Sequence, residues 1–324
     1  MSTETTTPAK PARTARQRLG HFLSDNGALV GLVVVVVAMF IATPDFLTTT
    51  NLLNVGVQAA VVAILAFGMT YVIVAAGIDL SVGSVAALSA VSAGWIVGQG
   101  MPGALGLVAG PLVGLLAGLL SGLATAYGKL PSFIATLAML SVARGLTLVI
   151  SGGRPQSMPE EISWLGSRVL GVPVPILVTL VMFAITAFVL NRTVFGRSLY
   201  AVGGNEEAAR LSGLAVKKLT ASVFALSGLY AGIAGMVLAG RLSSAQPQAA
   251  VGYELDAIAA VVIGGASLSG GQGRATGTLI GALVLAVIRN GLNLLNVSSF
   301  WQQVVIGLVI ALAVGIDVLR RKTR

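Results

Sequence analysis

From Gly27 to Val318 the chain alternates between apolar runs of about 17 to 25 residues and short stretches of Gly, Pro and polar residues. A run of that length, coiled as a helix, crosses a ~30 Å hydrocarbon core. Dividing the chain at its polar, Gly and Pro punctuation predicts ten spans, at 27–43, 51–76, 80–99, 104–126, 131–151, 174–190, 218–240, 255–267, 275–295 and 300–318. The expected fold class is therefore all-α, a polytopic bundle of about ten transmembrane helices. The eighth span is too short alone and needs the Gly-rich segment after it to lie in the membrane as well. Small residues recur at spacings of four in GPLVGLLAGLLSGLATAYG (110–128) and GRATGTLIGAL (273–283). Such spacing lets helix backbones approach closely where lipid supplies no hydrophobic drive.

Composition agrees with a bilayer setting. Hydrophobic residues make up 56% of the chain, charged residues 10%, and the mean hydropathy is +0.93, against roughly 25% charged in soluble domains. A multi-pass protein of the cytoplasmic membrane follows. Residues 1–26 read as a disordered cytoplasmic tail, 27–318 as the transmembrane domain with a cytoplasmic loop at 191–217, and 319–324 as a basic cytoplasmic tail. The run from Gly27 to Thr43 ends without a small-residue cleavage site, so it is expected to be kept as the first span.

The net charge of +9 is explained by topology rather than by nucleic acid. With the N-terminus cytoplasmic, ten spans gather Lys10, Arg13, Arg16, Arg18, Lys129, Arg192, Arg197, Arg210, Lys217, Lys218, Arg274, Arg320, Arg321, Lys322 and Arg324 inside, and leave only Arg154, Arg168 and Arg241 outside. That asymmetry is the positive-inside pattern. Both termini then lie in the cytoplasm.

Enzymatic readings fare poorly. There is no cysteine, which removes disulfides, thiolate metal sites and cysteine nucleophiles. The single histidine, His21, precedes the first span, so no intramembrane Ser/His dyad forms and no metal site is expected. Gly128-Lys129 is followed by Leu130, not by the Ser or Thr of a phosphate-binding loop. No cofactor is expected on the chain itself.

The long cytoplasmic loop reads RTVFGRSLYAVGGNEEAARLSGLAVKKL. Gly203-Gly204 should break it, Asn205 can cap a helix, Glu206 and Glu207 suit a helix N-terminus, and Gly213 suits its end. The intervening Ala208, Ala209, Arg210, Leu211 and Ser212 complete a short surface helix with charged and apolar faces. Its segment EAARLSG resembles the EAA-x-x-x-G signature of ABC-importer membrane subunits, although the Leu-Pro that follows in the wider signature is absent here. GIDLSVGS, FIATLAMLSVARGLTLVISGG, GRSLYAVGGNEEAARLSG, the stretch from Arg241 to Leu283 and NGLNLLNVSSFWQQVVIGLVIALAV extend the likeness from Leu29 to Asp317. Together they resemble the ribose-type monosaccharide permeases of bacterial ABC importers.

That resemblance implies a permease, working as a homodimer or paired with a paralogue, that binds no cofactor itself. Its partners would be an ATP-binding subunit that uses ATP and Mg²⁺ and an extracytoplasmic sugar-binding protein. D-ribose is the first expectation for the substrate; relatives for other small sugars or autoinducer-2 share much of the pattern. The helix from Asn205 to Gly213 would be the contact with the ATPase. The rival from another class is a proton-coupled secondary sugar transporter, which would need buried acids or histidines as proton carriers.

The stretch VAAGIDLSVG (74–83) sets an acid among glycines where a membrane helix is expected. Gly77 would let the second span end abruptly, and Asp79 would accept hydrogen bonds at the start of a helix beginning near Leu80 or Ser81, with Gly83 in its first turn. Asp79 is thus a cap or a sugar contact. A shift of 188 residues aligns Gly77, Leu80, Ser81 and Gly83 with Gly265, Leu268, Ser269 and Gly271, with Ser267 opposite Asp79. Two similar helix breaks on one side are predicted.

Arg144 and Arg289 interrupt apolar spans. Each either pairs or snorkels, or lines the pathway, and Arg144 could reach Asp79. Near Arg289, Asn290 and Asn293 suggest a polar exit at the external face. Gln246, Tyr253, Glu254 and Asp256 are candidates for docking the sugar-binding protein, with helix capping the alternative for the two acids.

Overall fold

A computed structural model describes residues 27–322, and the expected N-terminal tail (1–26) and the last two residues of the basic C-terminal tail fall outside it. Thirteen α-helices follow one another among the described residues. They are α1 (Gly27–Ala42), α2 (Thr49–Val74), α3 (Val82–Gly98), α4 (Gly103–Ala126), α5 (Ser132–Ser151), α6 (Glu160–Ser163), α7 (Val174–Arg192), α8 (Val194–Gly204), α9 (Glu206–Leu211), α10 (Val216–Leu242), α11 (Tyr253–Ile263), α12 (Ala275–Leu294) and α13 (Ser299–Lys322).

Six of these (α2, α4, α5, α7, α10 and α12) are long and apolar enough to cross a membrane, and three shorter apolar helices are Gly27–Ala42, Val82–Gly98 and Ser299–Leu312. The eighth predicted span becomes the 11-residue helix α11, about 16 Å long at 1.5 Å per residue and so roughly half a bilayer. The chain after it, to Arg274, is irregular. Irregular backbone at membrane depth survives only when covered by protein or facing water.

Helices α2 and α10 form the buried axis. From Ala59 to Val74 every residue of α2 is buried, whereas α4, α5 and α7 expose leucines, valines and phenylalanines on their outer faces. This is a bundle with its outer helices turned to lipid. The glycine series of α4 packs against α10. A side chain at Gly114 would meet Gly228 and Gly232, one at Gly118 would meet Phe224 and Gly228, and one at Gly122 would meet Ala221. The second small-residue series behaves alike: Gly277 and Gly281 of α12 press on Gly264 and Ala260 of α11.

The segment between α5 and α7 is ordered. Its strand β1 (Gln156–Ser157) pairs antiparallel with β4 (Ser244–Ala245), while β2 (Arg168–Val169) and β3 (Val172–Pro173) form a small hairpin. Ile162, fully buried, seats this segment against the bundle. The loop at 191–217, expected to be cytoplasmic, is also more regular than its composition implies. Residues 194–204 form a helix, and Gly203-Gly204 stay inside it, so the break falls one residue later, at the extended Asn205.

Candidate functional site

Helix α9 is built locally, as its residues dictate. Thr193 caps α8 through Gly196 N–H at 3.0 Å, and the Asn205 side chain accepts from Ala208 N–H at 2.9 Å to start α9. Glu207 and Arg210 form a two-point ion pair at 3.0 and 2.5 Å on the exposed face. The guanidinium's hydrogen bonds hold the Glu207 carboxyl below its ordinary range and raise Arg210 in turn. The chain leaves the helix through Gly213 at φ +87°, with Leu214 N–H returning to Ala209 O at 3.1 Å, a left-handed turn that suits glycine. Only Ala209 is buried, against Val202 and Val216. Glu206, Ala208, Ser212 and Leu211, the last 75% exposed, remain outward.

The base of this hairpin touches the centre of the bundle. A side chain at Gly203 would run into the carbonyl oxygen of Val74 and lie 2.6 Å from Gly271 N. Val74 O accepts the Gly271 N–H at 2.9 Å, and the Tyr200 hydroxyl donates to Gly273 O at 2.8 Å. A side chain at Gly270 would meet Ala76 and Gly203 O. Sequence patterns gave α9 but not this joint, because close backbone contact across 68 to 197 positions leaves no local signal beyond the glycines themselves.

Both helix breaks meet there. α2 ends with Ala76 at φ +61° and Gly77 N–H bonded to Val72 O at 2.8 Å; α11 ends with Gly265 at φ +88° and Ala266 N–H bonded to Val261 O at 3.1 Å. These are the same left-handed exit, displaced by 189 residues. The side-chain turns that follow, Ser81 N–H to Asp79 Oδ1 at 2.9 Å and Ser269 N–H to Ser267 Oγ at 3.3 Å, are displaced by 188. The second break is therefore one residue shorter.

Asp79 is fully buried. Oδ1 accepts the Ser81 N–H and, at 2.6 Å, the Ser81 hydroxyl; Oδ2 accepts the Ser227 hydroxyl from α10 at 2.7 Å. The helix after it starts at Val82, later than the sequence implies. Other backbone donors of the break are served from α5: Ile78 N–H by Ser132 at 3.3 Å and Leu80 N–H by Thr136 at 3.1 Å. Thr136 lies within the quoted stretch FIATLAMLSVARGLTLVISGG, but neither it nor Ser132 nor Ser227 was singled out from the sequence. Gly77 packs on Val72 and Phe224, and Gly83 on Ala250 O and the Glu254 carboxylate.

Arg144 does not reach Asp79. Its guanidinium donates to Pro247 O at 2.7 Å and Ala249 O at 3.1 Å, so it fastens the irregular chain before α11. Asn290 is no exit group either. It exchanges hydrogen bonds with Asn51 at 2.8 and 2.9 Å, and both amides are buried. Arg289 pairs with Asp256 at 2.7 Å and lies 6.0 Å from the Tyr253 ring centroid. Asp256, 4% exposed, thus has its carboxylate committed inside the bundle and is not available for docking. Glu254 is half-buried beside Gly83, and Gln246 donates to Ser244 Oγ at 2.9 Å. Asn293 is exposed and accepts from Gln302 at 2.7 Å. No group of three or more metal-binding side chains occurs among the described residues.

The geometry is that of a helical bundle with six helices long and apolar enough to cross a membrane, two helix breaks in contact with each other, and a capped surface helix joined to them. The chain belongs to the family described as branched-chain amino acid transport system / permease component, whose pattern matches residues 51–314. It is 45% identical over 310 residues to ribose import permease protein RbsC of Haemophilus influenzae, covering 94% of this chain and 96% of that one. It is 46% identical over 311 residues to RbsC of Bacillus subtilis, with coverage of 93% and 92%. The L-arabinose transport system permease protein AraH of Escherichia coli is 38% identical over 307 residues, 94% of each chain. No solved structure matches the chain.

Proposed function

We propose that this chain is the membrane-spanning subunit of an ATP-binding cassette importer for a monosaccharide, D-ribose before other small sugars. The observation that carries the reading is the seat of α8 and α9 on the helix breaks, where the Gly203 backbone meets Val74 and Gly271. A force applied to the exposed face of Glu206–Leu211 passes through backbone contact, with no flexible side chain between, to the ends of α2 and α11. The identity to ribose permeases over most of the chain supports the substrate.

In this reading ten segments cross the membrane, α11 with the irregular chain after it counting as one, and both termini are cytoplasmic. The distribution of basic residues supports that orientation. Asn205 to Gly213 contacts a separate ATPase subunit, which uses ATP and Mg²⁺; this chain holds neither. A sugar-binding protein delivers substrate from outside, and a second permease copy completes the pathway. Closure of the ATPase moves α9, tilts the two breaks together and shifts the bundle between outward- and inward-open states, a coupling through a two-state element.

Proteoliposomes holding the permease, the ATPase subunit and the binding protein should take up ribose only when ATP is supplied on the ATPase side. Ribose uptake by the permease alone under a pH gradient would replace this reading with proton-coupled transport.

A further inference from the structure

The Asp256–Arg289 pair borders a cavity of about 250 Å³ between α2, α11 and α12. Gln58, Arg241, Tyr253 and Asn293 also line it, with three alanines, Val62 and Leu285 as the apolar part. Four of its polar groups have no protein partner among the described residues: the Gln58 amide, the Arg241 guanidinium, the Tyr253 hydroxyl and the Asn293 Nδ2. Gln58 stands nine residues into α2, about 14 Å from its start at 1.5 Å per residue. An amide left unpaired at that depth is costly in hydrocarbon, so the half-buried Gln58 needs water or a ligand, while Arg241 and Asn293 are exposed at the cavity's edge.

We infer that this cavity is a weak binding site for a small neutral polyol, entered from the external half of the bundle; the inference rests on the importer reading above. The chemistry selects the ligand class. The lining offers both donors (guanidinium and amide NH₂) and acceptors (amide oxygen and carboxylate), as hydroxyl groups need, and Tyr253 adds an aromatic ring. Asp256 cancels the charge of Arg289, which leaves the exposed Arg241 as the one unpaired charge of the lining, so inorganic phosphate is the competitor against which a neutral ligand is tested. The volume is below the ~300–1,000 Å³ of sites for drug-sized ligands, which suits a single sugar ring. The site brings together residues the sequence analysis assigned to two different roles, an external exit and a docking surface.

The test uses the full chain in lipid nanodiscs and D-ribose at millimolar concentration, read by saturation-transfer NMR. Gln58→Leu and Asn293→Leu remove hydrogen-bonding groups and leave the Asp256–Arg289 pair intact. A several-fold loss of ribose signal in both variants, with no displacement by inorganic phosphate, is the expected result. Ribose signal equal in the variants, absent from the unaltered chain, or displaced by phosphate overturns the site. In the reconstituted importer the same variants should lower ribose carried per ATP hydrolysed while the binding protein still stimulates hydrolysis. An unchanged ratio in both overturns the site and leaves the importer reading standing; absence of ATP-driven uptake by the unaltered chain strikes the importer reading instead.

Discussion

The carbonyl oxygen of Val74, left free where α2 ends, lies against the backbone of Gly203 in the helix that leads to the surface hairpin. The same oxygen accepts the Gly271 N–H at 2.9 Å, so one acceptor holds together the end of α2, the loop after α11 and the root of α9. Nothing but glycine fits at Gly203. A methyl group added at its neighbour Gly204 would meet nothing within 4 Å.

The two glycines therefore give opposite expectations. Gly203→Ala should cost about 1–3 kcal/mol of stability by overpacking and abolish sugar-stimulated ATP hydrolysis in the reconstituted importer. Gly204→Ala should change stability by no more than about 0.5 kcal/mol and retain stimulation. Thermal unfolding in detergent and ATPase assays on the two variants check this; equal behaviour of the pair would count against the joint.

Asp79 separates a structural carboxylate from a proton carrier. Its two oxygens accept three hydrogen bonds, from Ser81 N–H, Ser81 Oγ and Ser227 Oγ. Asp79→Asn keeps one oxygen for Ser81 and can donate to Ser227, so uptake should persist at a reduced but substantial rate. Asp79→Ala strands buried donors, each costing about 1–3 kcal/mol, and should prevent stable accumulation in the membrane. Proton-coupled transport demands that Asn abolish uptake outright. Transport assays on the two variants decide.

Much of the fold was readable from the length of the apolar runs, because lipid forces long apolar helices and the small-residue series marks where they touch. The α4–α10 contact, through Gly114, Gly118 and Gly228, is the clearest case. Helix α9 was readable too, since Asn205, Glu206, Glu207 and Gly213 are local signals for one short helix, whereas α8 before it was not expected. What escaped was pairing across distance. Arg144 reaches Pro247 rather than Asp79, and Asn290 reaches Asn51, because a polar group in a membrane span declares that it needs a partner but not which one. The 188-residue echo found both breaks, yet missed their one-residue difference, since Ala76 adopts the left-handed turn that Gly265 makes unaided.

The Asn51–Asn290 pair ties the start of α2 to the last turns of α12. Asn51→Leu or Asn290→Leu alone leaves one buried amide unsatisfied and should cost about 1–3 kcal/mol. The double variant removes both amides and should recover part of that loss, giving a coupling energy of about 0.5–3 kcal/mol in a double-mutant cycle. Strict additivity would mean that the two amides do not depend on each other.

Helix packing can be tested at glycines of matched type. Gly228→Ala places a methyl group against Gly114 and Gly118 of α4, and should lower the unfolding temperature and the yield of folded protein. Gly145, within α5, has nothing within reach of an added methyl. Gly145→Ala should be neutral or stabilise by up to about 1 kcal/mol through helix propensity. Thermal melts of purified variants distinguish the two positions.

The proposed orientation can be read chemically, because the chain has no cysteine and any introduced thiol reports alone. Leu211, on the exposed face of α9, is 75% accessible, and Leu170, in the β2–β3 turn, is 99% accessible. With α9 on the ATPase side, L170C in intact cells should react with a membrane-impermeant maleimide while L211C reacts only after the membrane is opened. Adding the ATPase subunit to inside-out vesicles should then protect L211C, since its thiol would lie in the contact. Labelling of L211C from outside, or its indifference to the ATPase, would break the mechanical link between that subunit and the Val74–Gly203 joint on which the transport cycle depends.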